Sequence, residues 1–155
     1  MKKLHYPYSV KDIRFEFVFE SVGPNGRIQK MIKFEFRKST NGGLFNVVLG
    51  DWNRIDQKIS DTVISNNQDA AQILNTVAST IGDVMKRCPE FCIYVRGNDL
   101  ARSRIYRMAI SRHWKDVSPI IDVYGYRMDC WEQFRKNINY EAFAIYSKKK
   151  QLTNN

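Results

Sequence analysis

Ile32-Lys33-Phe34-Glu35-Phe36-Arg37 alternates strictly between apolar and charged side chains. A period of two sends successive side chains to opposite sides of an extended chain, so this segment reads as a half-buried strand. Working outward, Ile13, Phe15, Phe17 and Phe19 alternate with Arg14, Glu16, Val18 and Glu20. Gly23-Pro24-Asn25-Gly26 separates the two runs with strong turn chemistry. On the other side, Asn41-Gly42-Gly43 makes a second turn before Phe45, Val47 and Leu49, a third strand. A short fourth strand is expected near Ile59 to Ile64.

The period then changes. Ile73, Leu74, Val77, Ala78, Ile81, Val84 and Met85 recur at steps of three and four, one apolar stripe of a helix. Ser65-Asn66-Asn67 supplies candidate N-caps, and Asp69 sits where a helix start favours negative charge. Pro89 ends the helix. Phe91, Ile93 and Val95 predict another strand. A second helix follows from Asn98 or Asp99, with Ala101, Ile105, Met108 and Ala109 on one face. Ile120 to Tyr124 reads as a strand, Trp131 and Phe134 as a short helix, and Tyr140 to Tyr146 as the last strand.

This order, ββββ-α-β-α-β-(α)-β, predicts an α+β fold. A mostly antiparallel sheet carries two main helices packed on one face. A single domain is expected over residues 1–147, with a basic and polar tail over 148–155. No apolar run approaches the roughly 20 residues that span a bilayer, and no apolar core of a signal peptide follows the first lysines. Membrane binding is therefore not expected, and a cytoplasmic location is. Three cysteines, Cys88, Cys92 and Cys130, fit a reducing compartment. With His5 and His113 the only histidines, neither a metal centre nor a cofactor is expected.

Charge is the main functional signal. The net charge is +9. Arg96, Arg102, Arg104, Arg107, Arg112 and Lys115 fall within residues 96–115, where Asp99 is the one acid. A strand ends here, Gly97 permits a tight turn, and a helix begins. Unpaired N–H groups and the positive end of a helix dipole lie at such a junction. Guanidinium groups can grip phosphate oxygens in a bidentate fork. Arg96, Asn98, Arg102, Ser103, Arg104, Tyr106 and Arg107 are accordingly the candidate residues for binding a polyanion, RNA or DNA. Tyr94, Tyr106, Trp114, Tyr124 and Tyr126 lie close in sequence. Rings interleaved with arginines suit a single strand whose bases stack while its phosphates meet charge.

Two alternatives stand beside this reading. Asp51, Asp69 and Asp99 could converge on metal ions in a toxin-like nuclease. Alternatively, the positive face could meet an acidic partner protein.

Four segments carry a family resemblance. They are Gly23-Pro24-Asn25-Gly26-Arg27-Ile28, then Ser65-Asn66-Asn67 ahead of Thr76-Val77-Ala78, then Ala101-Arg102-Ser103-Arg104-Ile105-Tyr106, and Asn139-Tyr140-Glu141-Ala142-Phe143. Together they resemble an uncharacterised family of small bacterial proteins, known only as a domain of unknown function. The resemblance runs from about Tyr6 to Ile145. It implies a complete single domain in a bacterial cytoplasm, and neither an activity nor catalytic residues.

Overall fold

The computed structural model describes residues 5–12, 15–40, 42–60, 67–97 and 100–148. Five strands come first: β1 (Tyr8–Asp12), β2 (Glu16–Gly23), β3 (Gly26–Ser39), β4 (Gly42–Asn53) and β5 (Lys58–Ser60). The helix α1 (Ala70–Arg87), the strand β6 (Cys92–Arg96) and the helices α2 (Leu100–Arg112) and α3 (Trp114–Val117) follow. The chain ends its described part in β7 (Ile121–Arg127), β8 (Cys130–Gln133) and β9 (Ala142–Ser147).

The strands form one sheet in the order β1-β2-β3-β4-β6-β9-β7-β8, with β5 paired to the far end of β4. Among the described residues, the only parallel pair is β4 with β6, on either side of α1 in the chain. β9 inserts between β6 and β7 and is antiparallel to both. The α+β architecture and the mostly antiparallel sheet are those expected from the sequence.

The register sorts the side chains by face. Phe17 pairs with Ile32, Phe34 with Val47, Val47 with Val95, Val95 with Phe143, and Ile145 with Val123. These residues are buried in one cluster with Val77, Val84 and Met85 of α1. Tyr106 and Ile110 of α2 and Trp114 of α3 pack against the same cluster. The three described helices therefore pack on one face. Each fully buried Phe or Ile there contributes about 1.5–3 kcal/mol.

Three local expectations change. Tyr8–Asp12 adds a strand at the sheet edge, paired among the described residues with β2 alone. Trp131 lies on β8, where a short helix was expected. Met128 and Asp129 both take positive φ, 51° and 61°, and Arg127 pairs with Cys130 across them. Two left-handed residues in succession make a two-residue hairpin turn that matches strand twist. Asp69 occupies the N-cap of α1 but makes no capping hydrogen bond. Its carboxylate instead accepts from the buried hydroxyls of Tyr6 and Ser21, both at 2.5 Å. Ser65, Asn66 and most of the segment expected as the fourth strand lie outside the described residues.

Candidate nucleic-acid interface

The face opposite the helices carries the residues that alternate with the core. Tyr94 and Arg96 project there from β6, Tyr124 and Tyr126 from β7, Trp131 from β8 and Tyr146 from β9. In the middle of this group, β9 contributes only Ala142 and Ala144. Small side chains on the central strand let rings from both sides lean inward. Trp131 packs on Tyr126 with centroids 5.1 Å apart and reaches Tyr94 at 6.2 Å. Tyr124 meets Tyr146 edge-on at 5.9 Å. Ala142 and Ala144 are buried beneath the rings, while Trp131 itself remains 47 % exposed.

Arg96 borders this aromatic floor. Its Nη1 donates to the Tyr94 hydroxyl at 3.2 Å, and that contact, ahead of the field of Glu141, raises its already high pKa. Glu141 stands 4.0 Å from Arg96 with both side chains about half exposed, so the pair is weak. Burial, ahead of Asp129, pushes the Tyr126 phenol up. Burial and a hydrogen bond with Cys92 raise Tyr146 to about 12. These phenols are neutral at physiological pH and present uncharged rings. Farther along the same face, Lys33 and Arg37 flank Glu35.

A short segment joins this face to α2. The Glu141 amide donates to the Tyr126 carbonyl at 2.8 Å, and the Glu141 carbonyl accepts from Ser103 Oγ at 3.4 Å. Two residues earlier, Asn139 Oδ1 accepts from Arg107 Nη1 at 2.9 Å. Arg96 and the first half of α2 thus meet at one end of the sheet, across residues 139–141.

The residues expected from sequence to bind an anion divide between two environments. Arg96, Arg104 and Arg107 reach solvent, Arg96 on the open face and the other two on α2. Ser103 is buried at 5 % exposure under the Glu141 carbonyl. Tyr106 faces the core. Helical spacing explains the division: residues 103, 106 and 110 share the inner face of α2. Asn98 and the side chain of Arg102 lie outside the described residues. Among the described residues, no carboxylate forms an ion pair with Arg104, Arg107, Arg112 or Lys115. Sequence reasoning missed Trp131 and Tyr146. Their signal was the Tyr124, Tyr126 and Tyr94 alternation, extended to the strands beside it.

The acidic candidates are engaged separately. Asp51 pairs with the buried Lys30 at 2.5 Å, and Asp69 holds Tyr6 and Ser21. Asp99 lies outside the described residues. Among the described residues, no group of three His, Cys, Asp or Glu side chains could hold a metal ion. No described helix is long and apolar enough to cross a membrane.

The sequence matches one protein family over residues 2–148. The chain belongs to the family of unknown function DUF6934. No curated protein and no solved structure matches it. In this DUF6934 chain the match spans every described strand and helix, from β1 to β9.

Proposed function

We propose that this protein binds single-stranded nucleic acid, RNA or DNA, across the open sheet face. The observation that carries the reading is the cluster of Trp131, Tyr126 and Tyr94 beside Arg96 on a face that no described helix covers. Every base has an apolar face, so an aromatic floor accepts a strand with little regard to sequence. Bases would stack on Trp131 and its neighbours. The phosphates would then pass Arg96 and cross the 139–141 segment toward Arg107 and Arg104 on α2. A duplex hides its base faces and would gain only the charge term. The proposal includes a cytoplasmic setting, in keeping with three free cysteines.

The salt dependence of binding tests the path of the phosphates. Arg104→Ala with Arg107→Ala should weaken binding to all single-stranded sequences alike. It should also flatten log K against log salt by about 1.4, from roughly 0.7 per lost phosphate contact. An unchanged slope in a folded double variant removes α2 from the site. If the protein binds no nucleic acid and instead retains an acidic protein, the positive surface serves a protein partner.

A further inference from the structure

The helix-covered side of the sheet contains a cavity that the nucleic-acid reading does not use. It lies between α1 and α2, above β6, β9 and the start of β7, and has a volume of about 690 Å³. Small-molecule sites typically measure about 300–1,000 Å³. Leu74, Ile81, Met85, Ile110, Phe143 and Ile145 give it apolar walls.

The sequence leaves this space open. The helix positions that border it include Ala78 and Gly82 on α1 and Ala109 on α2. A Cβ added at Gly82 would meet nothing within 4 Å. Protein interiors normally close to crystal-like density, and each buried methylene adds about 0.8 kcal/mol. Larger apolar residues at these three positions would narrow the gap from both helices. A bound apolar group recovers the same burial without them.

Charge gives the occupant its polarity. The charged side chains lining the cavity are Lys86 and Lys148, and no Asp or Glu lines it among the described residues. Both lysines lie toward one end. Residues 88–91 alone separate α1 from β6, so Lys86 sits near the start of β6. The antiparallel register of Ile93 with Ile145 sends the end of β9, and Lys148 beyond it, to the same place. Lys148 Nζ donates to the Ser118 carbonyl at 2.6 Å and stands 3.9 Å from Asp122, while Lys86 is exposed and forms no described ion pair.

We propose that the cavity binds a free fatty-acid-type anion. Its aliphatic chain lies between α1 and α2, and its carboxylate sits at the lysine end, chiefly against Lys86. The walls recognise the chain by area, and the ammonium groups recognise the head by charge. The inference stands independently of nucleic-acid binding.

Calorimetric titration of the full chain with dodecanoate and with dodecylammonium, below the micelle concentration of each, tests it. Dodecanoate should bind saturably at one site, and dodecylammonium should not. Lys86→Glu should weaken dodecanoate about tenfold through like-charge repulsion. Ala109→Trp should abolish binding by filling the cavity. Gly82→Leu, on an exposed helix position with open space above it, provides a second filling variant that keeps the fold. The proposal is overturned by the absence of saturable binding, by equal binding of the two amphiphiles, or by undiminished binding in folded Gly82→Leu. A dimer that Gly82→Leu dissociates and dodecanoate leaves intact would assign the groove to a second copy and also overturn it.

Discussion

The rings of Trp131 and Tyr94 meet at 6.2 Å, although the strands that carry them, β8 and β6, are separated by β7 and β9. They reach each other over Ala142 and Ala144. A central strand that carries only methyl groups between these two rings turns two rows of aromatic side chains into a single floor. The described helices pack on the sheet's other face, so this floor is left open to solvent.

Tyr140 packs directly over Gly125. A Cβ at residue 125 would come within 2.3 Å of Tyr140 Cδ1. The ring has no room to retreat: it is 2 % exposed, and its hydroxyl donates to Glu132 at 2.9 Å. Gly125→Ala should therefore cost about 1–3 kcal/mol through overpacking. Urea denaturation measures this, and an unchanged midpoint would contradict the packing described.

Asp69 ties the start of α1 to β2 and to the N-terminal segment. It accepts from both Tyr6 and Ser21, and burial, ahead of the bond to Asp69, pushes the Tyr6 phenol up. Asp69→Ala leaves two buried hydroxyls without that acceptor, at about 1–3 kcal/mol for each that finds no other. The thermal unfolding midpoint should fall clearly. A variant as stable as wild type would mean that the network carries no net stability.

Glu132 gives a pH dependence. Its Oε1 accepts from Arg127 Nε at 2.8 Å and from Tyr140, and these bonds hold its carboxyl below the ordinary 4.5. A depressed folded-state pKa contributes stability that is present above the unfolded value and lost as pH falls through the folded one. Glu132→Gln should thus be less stable than wild type at pH 7, and the gap should close as pH drops below 4.5. Midpoints compared across that range check the sign. The effect is modest because the side chain is about a third exposed.

The fold was legible where one face is wet and the other dry. Phe34 and Phe36 alternate with charges, and Val77, Val84 and Met85 recur at helical steps, so each element announced its own period. β8 did not, because Met128-Asp129 lacks the glycine that usually marks a two-residue hairpin. The arginines around α2 were legible as a cluster in sequence. Their separation into outward Arg104 and inward Ser103 and Tyr106 follows from helical spacing alone. The aromatic floor was not legible, because it needs strands that are not consecutive, β6, β9, β7 and β8, to be brought side by side. No local period reports that order.

Trp131 offers the most direct measurement. Its ring is 47 % exposed, so Trp131→Ala should leave the fold intact while removing the largest stacking surface on the open face. Fluorescence anisotropy with a labelled single-stranded oligonucleotide should show a loss of about 1–3 kcal/mol, roughly five- to 150-fold in affinity, with Trp131→Phe largely retained. Equal affinity of wild type and a folded Trp131→Ala variant, or no binding by wild type at low salt, would contradict the account.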